Sequence, residues 1–231
     1  MIANSYLPKH VACIMDGNRR WAKKRGLPVY EGHKKGFQAA KEIMLYGKKL
    51  GIKYSTVFAF STENWQRAEK EVKFLLNFLQ WIVEKDLNTL IDEKVCVKII
   101  GSRDNLSTKL QKIIEKIEDK TASFSDLFFQ IAFSYGSQDE IIHAVKSIIG
   151  EKIPSDSINK EVISKHLYTA NFPDPDLLIR TGGQIRLSNF LLWQSSYTEL
   201  YFTDVLWPDF DKKEFNKALE EFARRKRNFG K

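Results

Sequence analysis

The sequence is poor in cysteine and has no long apolar run. Its two cysteines, Cys13 and Cys96, form no CxxC pair. Because both fall in predicted strands, we expect them to be buried and reduced, as in a cytosolic protein. No uninterrupted apolar run approaches the roughly 20 residues that a membrane-spanning helix needs. The first residues also lack the hydrophobic region of a signal peptide. We therefore expect a cytoplasmic protein that meets any lipid substrate from the water side.

The sequence also lacks internal boundaries. No repeat, low-complexity tract or Pro/Gly/Ser-rich linker divides its 231 residues. A chain of this length is long enough to bury a full hydrophobic core. We therefore predict a single domain over residues 1–231.

Nucleotide-binding motifs are missing as well. No GxGxxG or GxxxxGK[ST] string stands at a strand–helix junction, which argues against a nucleotide enzyme. The net charge of +8 permits nucleic acid, an anionic membrane surface or a polyphosphate as partner. A basic nucleic-acid-binding module is therefore an alternative from another functional class. The aromatic residues lie mostly in apolar runs and not among Lys and Arg, so we expect no nucleic acid partner.

Strand and helix patterns alternate along the chain. This alternation predicts an α/β fold, with a mainly parallel six-stranded sheet flanked by helices. Ligands of such sheets bind at the carboxyl ends of the strands. The predicted strands cover 11–15, 56–60, 95–100, 127–134, 177–179 and 200–202. The predicted helices cover 19–25, 33–50, 70–93, 106–121, 138–149, 159–167, 189–193 and 212–227.

The end of the first predicted strand carries the strongest chemical signal. Asp16, Gly17 and Asn18 suit a tight turn, and a helical pattern follows them. That order directs free backbone N–H groups and the positive end of a helix dipole towards the carboxyl end of the strand. Arg19 and Arg20 add guanidinium groups, and Asp16 adds a carboxylate that can hold a hard cation. A solvated turn is the default interpretation of most such tripeptides, whereas the functional interpretation is a site for a metal-bridged phosphate or pyrophosphate.

The wider string HVACIMDGNRRWA at 10–22 resembles the signature of the cis-prenyltransferases, the family of the undecaprenyl pyrophosphate synthases. Further blocks resemble the same family in the expected order. They are FSTENW at 60–65, LIRTGG at 178–183, RLSNFLLWQ at 186–194 and ELYFTD at 199–204. Because the blocks span nearly the whole chain, chance similarity is a poor explanation.

The resemblance implies an Mg²⁺-dependent transferase. Such an enzyme condenses isopentenyl pyrophosphate units onto an allylic pyrophosphate, such as farnesyl pyrophosphate. The implied product is a long polyprenyl (undecaprenyl) pyrophosphate, the precursor of the cell-wall lipid carrier. The family also implies a homodimer, for which 193–202 and the basic tail are candidate contacts, and a transient contact with the inner membrane surface. A short-chain or dolichol-type enzyme and a non-catalytic partner subunit are alternatives, whereas the absence of a DDxxD motif argues against the all-helical trans type.

The resemblance also implies roles for individual residues. Asp16 corresponds to the residue that manages Mg²⁺ and the departure of the allylic pyrophosphate, and Glu199 to a metal ligand. Asn64 corresponds to the assigned proton acceptor; since an amide is a weak base, we expect it to orient substrate while a pyrophosphate oxygen takes the proton. Substrate-binding roles are implied for Gly17, Asn18, Arg19, Arg20, Trp21 and His33 around the allylic pyrophosphate, for Ser61, Thr62, Glu63, Trp65 and Arg67 in a mobile loop, and for Arg180, Arg186, Leu187 and Ser188 around isopentenyl pyrophosphate.

Some positions depart from the family pattern. Arg19 replaces a common glycine, and Val29 stands where a phosphate-binding arginine is usual, so we expect weaker allylic binding. Ile185 removes a histidine that is sometimes assigned to the metal. The remaining departures are Ser134, Gln138 and the terminal segment 228–230. Asp16 is retained, which favours a catalytic chain.

A growing isoprenoid tail cannot stay in water. Each five-carbon unit buries apolar surface worth about 3–4 kcal/mol. We therefore expect an apolar tunnel between the sheet and the helices, walled in part by the long helix of 74–91. The resemblance implies that Ala59 keeps its upper part open and that Leu127 closes its floor, which favours a product of undecaprenyl length. Without the resemblance, an ordinary core leucine is the default interpretation of Leu127.

Overall fold

A computed structural model describes residues 7–225, except for the side chains of 83 and 84. Six strands form one sheet in the order β3-β4-β2-β1-β5-β6, and every neighbouring pair is parallel. The predicted α/β fold is therefore confirmed. The strands are β1 His10–Ile14, β2 Tyr54–Ser61, β3 Val95–Ile100, β4 Leu127–Tyr135, β5 Leu177–Arg180 and β6 Glu199–Phe202.

Seven α-helices accompany the sheet within the described residues. They are α1 Asn18–Lys24, α2 Val29–Leu50, α3 Glu69–Asp92, α4 Thr108–Thr121, α5 Ser137–Gly150, α6 Lys160–His166 and α7 Lys212–Arg224. Gly51 ends α2 in the left-handed region at φ 96°, as a C-terminal glycine is expected to do. The Asp211 carboxylate accepts hydrogen bonds from two backbone N–H groups at the start of α7. None of these helices is long and apolar enough to cross a membrane.

The helix predicted over 189–193 is wrong. Ser188, Asn189 and Leu191 have φ angles of 51°, 62° and 48°, in the left-handed region that a right-handed helix excludes. The segment is a turn that caps α5, because the Asn189 side-chain carbonyl accepts a hydrogen bond of 2.9 Å from the Gln138 N–H. The last part of the helix predicted over 212–227, and the departure at 228–230, lie outside the described residues.

Hydrophobic clusters cover both faces of the sheet. Side chains alternate along β1, so Val11 and Cys13 join the larger cluster while Ala12 and Ile14 join the smaller one. Such two-sided burial is typical of parallel sheets. Cys13 and Cys96 are free and buried, as expected, and burial raises the pKa of the Cys13 thiol to about 12. The polar chemistry is thereby left to the ends of the strands.

Candidate active site

A polar cavity opens at the carboxyl ends of β1, β2 and β5, where the sequence predicted a ligand site. Functional residues that were predicted from the sequence form much of its lining; they are Asp16, Asn18, His33, Ala59, Ser61, Glu63, Asn64, Arg67, Arg180, Arg186 and Ser188. Six further lining residues were not predicted for the polar site, although Leu75 belongs to the helix predicted to wall the tunnel; they are Ile14, Met15, Phe58, Phe60, Leu75 and Asn189. Most of these six are apolar strand or helix residues that no polar motif could single out.

The Asp16 carboxylate lies between two arginines. Its Oδ1 accepts a hydrogen bond of 3.0 Å from Arg20 Nη2, and its Oδ2 accepts one of 3.0 Å from Arg180 Nη2. The Asp16 carbonyl accepts hydrogen bonds from the Thr181 hydroxyl and the Trp207 N–H. The backbone of the turn is thus fixed from two sides, and the carboxylate is presented to the cavity.

Arg180 is a buried cation at the end of β5. It is only 4% exposed, and its Nη1 donates to the Ser188 hydroxyl at 2.7 Å and to the Arg186 carbonyl at 2.5 Å. Its Nε has no hydrogen-bond partner among the described residues. A buried guanidinium with donor capacity to spare is suited to an anion, because unsatisfied charged donors in low dielectric are costly.

His33 and Asn18 lie at the inner end of the polar cavity. His33 Nε2 and Asn18 Oδ1 are buried and have no hydrogen-bond partner among the described residues. Burial lowers the pKa of His33 to about 4, against the opposing effect of the Glu71 carboxylate. His33 is therefore neutral near pH 7 and can donate one hydrogen bond. Gly36 permits the close approach of Asn18, because a Cβ there would lie 2.3 Å from Asn18 Oδ1.

The segment predicted as a mobile loop forms a short 3₁₀ helix, Thr62–Gln66, on the cavity rim. Ser61 and Asn64 make a capping box, in which the Asn64 side-chain carbonyl accepts a hydrogen bond of 3.3 Å from the Ser61 N–H. The Glu63 carboxylate accepts a hydrogen bond of 3.0 Å from Asn189 Nδ2. The oxygen of Asn64 is thus engaged in holding the backbone, which supports a positioning role for this residue.

An apolar cavity of about 1020 Å³ of empty space, part of it open to solvent, adjoins the polar one. It lies between the sheet and the helices α2 and α3. The two cavities share five lining residues, Met15, Asn18, His33, Ala59 and Leu75. Among the predicted tunnel residues, Ala59 therefore lies at the junction of the two cavities.

The two tryptophans that were predicted to bind substrate lie outside both cavities. Trp21 Nε1 donates to the Asp209 carboxylate at 2.7 Å, and its ring contacts the Arg25 guanidinium. Trp65 Nε1 donates to the Ser134 hydroxyl at 3.0 Å, and its ring packs on Phe60. Trp21 thus ties α1 to the segment before α7, and Trp65 anchors the rim to the core. The predicted substrate-binding roles of these two residues stay predictions.

Five other predicted residues support the site from outside the polar cavity. Gly17 has φ 120°, and a Cβ there would lie within 3.0 Å of Leu206. Arg19 and Arg20 line a separate surface pocket, although Arg20 also contacts Asp16. The remaining two are Thr62, whose hydroxyl donates to Asp139 at 2.9 Å, and Leu187, which packs against the smaller hydrophobic cluster.

Leu127 does not line the apolar cavity. It is fully buried at the start of β4 and lines a separate, small void that includes Val11 and Phe215. Phe129, two residues further along the same strand face, is the first β4 residue that lines the apolar cavity. Phe129, and not Leu127, therefore belongs to the lining of the apolar cavity, and the role of Leu127 as tunnel floor stays a prediction.

Within one chain the structure does not bring Glu199, the predicted metal ligand, to Asp16. The parallel register aligns Glu199 with Leu177, and Leu177 with Val11, which is near the start of β1 and not near its carboxyl end. The Glu199 carboxylate accepts a hydrogen bond of 2.8 Å from Arg225 Nη1. Residues 7–225 hold no cluster of three His, Cys, Asp or Glu that could form a metal site by itself.

Comparison with known proteins gives consistent matches over nearly the whole chain. Residues 14–230 match the family model described as "Putative undecaprenyl diphosphate synthase". An isoprenyl transferase of Aquifex aeolicus is 49% identical over 225 residues, which cover 97% of this chain and 96% of that protein. An isoprenyl transferase of Thermotoga maritima is 46% identical over 229 residues, which cover 97% of both chains.

Two solved structures also match nearly the whole chain. The lavandulyl diphosphate synthase of Lavandula x intermedia, in complex with dimethylallyl diphosphate, matches with a TM-score of 0.94 at 36% identity, over 98% of this chain and 100% of that one. A probable undecaprenyl diphosphate synthase of Campylobacter jejuni matches with a TM-score of 0.82 at 36% identity, over 97% of this chain and 99% of that one.

Proposed function

Because this chain belongs to the undecaprenyl diphosphate synthase family and is a prenyltransferase, we propose that it condenses isopentenyl pyrophosphate onto an allylic pyrophosphate such as farnesyl pyrophosphate. One observation carries the proposal. The arginine-rich polar cavity and the apolar cavity meet at five shared residues. A substrate with a pyrophosphate head and a hydrocarbon tail needs both cavities in this order, so that the head and the reacting carbon atoms lie where the two cavities join.

The side chains at the polar end suit two pyrophosphate groups. Arg180, Arg186 and Ser188 would bind the pyrophosphate of isopentenyl pyrophosphate through charge-assisted hydrogen bonds. Asn18 and His33, at the inner end, would orient the allylic pyrophosphate with its tail in the apolar cavity. Positioning of this kind supplies a large share of the rate when two substrates must meet in one geometry.

The donor set near Asp16 fits Mg²⁺. This ion usually takes one or two carboxylates and completes its shell with water and substrate phosphate oxygens. Asp16 offers one carboxylate at the cavity wall, and the pyrophosphates would supply the other oxygens. When bound, the ion would neutralise the negative charge that develops on the leaving pyrophosphate. Arg20 and Arg180 would share that role, because both already contact the Asp16 carboxylate.

The reaction also releases a proton when the new carbon–carbon bond forms. Burial lowers the pKa of His33 to about 4, which makes it a weak base, and the Asn64 carbonyl is engaged by the Ser61 N–H. We therefore assign the proton to a pyrophosphate oxygen. The role of Asn64 is to hold the rim and orient the substrate.

The first candidate product is long, of undecaprenyl length, because the matching family model is described as an undecaprenyl diphosphate synthase. A second candidate is a short-chain product, because lavandulyl diphosphate synthase matches with a TM-score of 0.94. The two candidates share the polar site and differ in how far the tail extends. The product length therefore decides between them.

Assembly and location form a further part of the proposal. β6 is an edge strand with half-exposed side chains, and Tyr197 beside it is 73% exposed. An apolar sheet edge of this kind favours pairing with a second copy, so the proposed active form is a homodimer. The proposed setting is the cytoplasm, with product passing to the inner membrane surface, where a cell-wall lipid carrier would be needed.

The test is a direct assay. The purified protein is incubated with farnesyl pyrophosphate, radiolabelled isopentenyl pyrophosphate and Mg²⁺, and the products are sized. We expect polyprenyl pyrophosphate, and no product when the metal is chelated. No product under any of these conditions would contradict the assignment and favour a non-catalytic partner subunit. Salt-sensitive binding to random oligonucleotides would instead support the nucleic-acid alternative.

A further inference from the structure

An aromatic strip joins the start of α2 to the first half of α3. It consists of Tyr30, Phe74, Phe78 and Trp81, whose successive ring centroids lie 6.2, 5.5 and 5.6 Å apart. The two ends of the strip are open to solvent, because Tyr30 is 42% and Trp81 is 41% exposed. Exposed apolar side chains in a contiguous row are typical of a surface that binds a protein or a membrane.

The middle of the aromatic strip belongs to the wall of the apolar cavity. Phe78 lines the cavity, and so does Phe37 of α2, whose ring packs edge-on against Phe78 with centroids 6.1 Å apart. Trp81 stacks on Phe78 and is not among the lining residues. A single ring, that of Phe78, therefore lies between the cavity and the exposed Trp81 ring.

A lysine covers the ring at each end of the strip. The Lys34 ammonium lies 4.8 Å from the Tyr30 ring centroid, and the Lys85 ammonium lies 4.5 Å from the Trp81 ring centroid. Lysines that pack their alkyl chains on apolar surface and keep the ammonium group in water, together with Tyr and Trp rings, are typical of membrane–water interfaces. Two further apolar side chains are exposed in the turn before Tyr30; they are Leu27 and Val29.

The Tyr30 end of the strip is strongly basic. Seven of the residues 19–35 are Lys or Arg, and only Glu31 is acidic. Lys23, Lys24 and Lys35 are exposed and have no carboxylate partner among the described residues. Three acidic side chains of α2 and α3 are already in ion pairs; the pairs are Glu31–Lys34, Glu71–Arg67 and Asp86–Lys41. The unpaired charge at this corner is therefore positive.

We propose that the aromatic strip, with the lysines at its Tyr30 end, docks on an anionic lipid surface. This inference rests on the proposed function and assigns the part of the molecule that meets the lipid. The unpaired cations attract anionic headgroups, and the Tyr30 and Trp81 rings insert at the level of the headgroups. Docking in this orientation places the α2–α3 wall of the apolar cavity against the lipid, so a hydrocarbon tail reaches the lipid with little apolar surface exposed to water.

The geometry of the Trp81 ring favours lipid over nucleic acid as the partner. Bases bind to aromatic side chains by stacking on a free ring face. Phe78 and Lys85 both lie over the Trp81 ring, which leaves little of its faces for a base. The exposed part of the ring remains available for insertion among lipid headgroups.

Co-sedimentation with vesicles tests the docking surface without any turnover. The parent protein is mixed with vesicles of phosphatidylcholine alone, or of phosphatidylcholine with phosphatidylglycerol. We expect binding to the anionic vesicles, little binding to the neutral ones, and weaker binding as the salt concentration rises. Equal binding to both kinds of vesicle, or no binding to either, would overturn the proposal.

The double variant Tyr30→Ser with Trp81→Ser removes the two exposed rings. It should weaken binding to anionic vesicles about tenfold or more, because the inserted apolar surface is lost. The matched control is Val145→Ser with Ile158→Ser, since these side chains are similarly exposed, at 45% and 40%, and lie on α5 and just before α6. The control should bind as the parent does, and an equal loss in both double variants would contradict the assigned surface.

The double variant Lys23→Gln with Lys24→Gln tests the charges and leaves the rings in place. Each lysine near an anionic surface contributes about fivefold to binding, so the loss should be about 25-fold. Lys160→Gln with Lys165→Gln is the control, because it removes the same net charge from exposed positions on α6. Equal losses in the two variants would show that only the overall charge matters and would overturn the docking surface.

The failure of this inference and that of the proposed function are distinguishable. A parent that binds anionic vesicles through the strip but makes no polyprenyl product would contradict the proposed function alone. A parent that makes the product but ignores the vesicles would contradict the docking surface alone. Tighter binding of the parent to random oligonucleotides than to anionic vesicles would also overturn the docking surface.

Discussion

The Arg180 guanidinium donates a hydrogen bond of 3.0 Å to the Asp16 carboxylate, although 164 residues separate the two in sequence. This contact joins the turn after β1, which was predicted to bind metal and allylic pyrophosphate, to the end of β5, which was predicted to bind isopentenyl pyrophosphate. A pyrophosphate that binds Arg180 competes with Asp16 for the same donors. Binding of one substrate would therefore free Asp16 Oδ2 for the metal, while Arg20 continues to hold Oδ1.

Asp16→Asn should lower kcat by about 100- to 1000-fold, the usual effect of removing one preorganised electrostatic group. The amide keeps the shape of the side chain but loses the charge that would hold Mg²⁺. Steady-state assays with circular dichroism check both turnover and fold. The control is Asp209→Asn, whose carboxylate pairs with Arg25 outside both cavities and should matter little for turnover. Turnover of Asp16→Asn close to the parent would refute the assignment.

Arg186→Ala should raise KM for isopentenyl pyrophosphate about ten- to a hundredfold and change KM for farnesyl pyrophosphate little. The loss of a charge-assisted hydrogen bond costs about 1.5–3 kcal/mol. Arg186 is the more informative position because it is exposed, whereas loss of the buried Arg180 would also remove one of the two arginine partners of Asp16. Equal changes in both KM values would contradict the proposed division of the site.

Two substitutions on one face of β4 should distinguish a residue that lines the cavity from a residue that only packs in the core. Leu127→Ala should cost about 2–5 kcal/mol of stability and leave product length unchanged, because Leu127 does not line the cavity. Phe129→Ala should also be destabilising, but should lengthen the products. Ala59→Leu should shorten them by filling the junction of the cavities. Mass spectrometry of the products and urea unfolding measure both effects, and longer products from Leu127→Ala would restore the floor predicted from the sequence.

Tyr197→Arg should weaken the proposed homodimer, because it inserts a charge into an exposed aromatic position beside the edge strand β6. Light scattering over a dilution series measures the change. Ile149→Arg is the control, since Ile149 is 70% exposed on α5 and lies outside the predicted contact segment 193–202. If the parent protein is fully active as a monomer, the dimer is not required for catalysis.

Stability should fall as the pH falls from 6.5 towards 4. Burial lowers the pKa of His10 from 6.5 to about 4, so in this window the unfolded chain binds more protons than the folded one. His10 Nδ1 lies 2.7 Å from the Pro173 carbonyl and therefore donates to it, which fixes the neutral ring. His10→Gln should remove about 1.5 kcal/mol of the loss between pH 6.5 and 5, as measured by urea unfolding.

His166→Gln serves as the control for this pH dependence. A hydrogen bond from His166 to the Val162 carbonyl and the contact with Glu151 raise the pKa of this histidine. Its contribution therefore has the opposite sign, and its removal should not reduce the acid loss. An equal acid loss in the parent and in His10→Gln would show that His10 does not titrate as its burial requires.

The sequence determined the local elements because their signals are local. The turn residues Asp16 and Gly17 end β1, Gly51 ends α2, and the apolar periodicity of 70–93 anticipates α3 to within a residue at each end. The sequence blocks also identified the family and most polar residues of the cavity. The error at 189–193 has a local cause too, since left-handed φ angles at polar and apolar residues leave no sequence pattern.

Only the tertiary structure decided which of those residues meet. The parallel register carries Glu199 to the end of the sheet opposite Asp16, and side-chain packing puts Phe129, and not Leu127, in the lining of the apolar cavity. The contact of Lys41 with Asp86 depends on how α2 and α3 pack across the cavity. A sequence pattern indicates on which face of a helix or strand a side chain lies. Which other element packs against that face depends on strand order and helix packing, which involve residues many tens of positions apart.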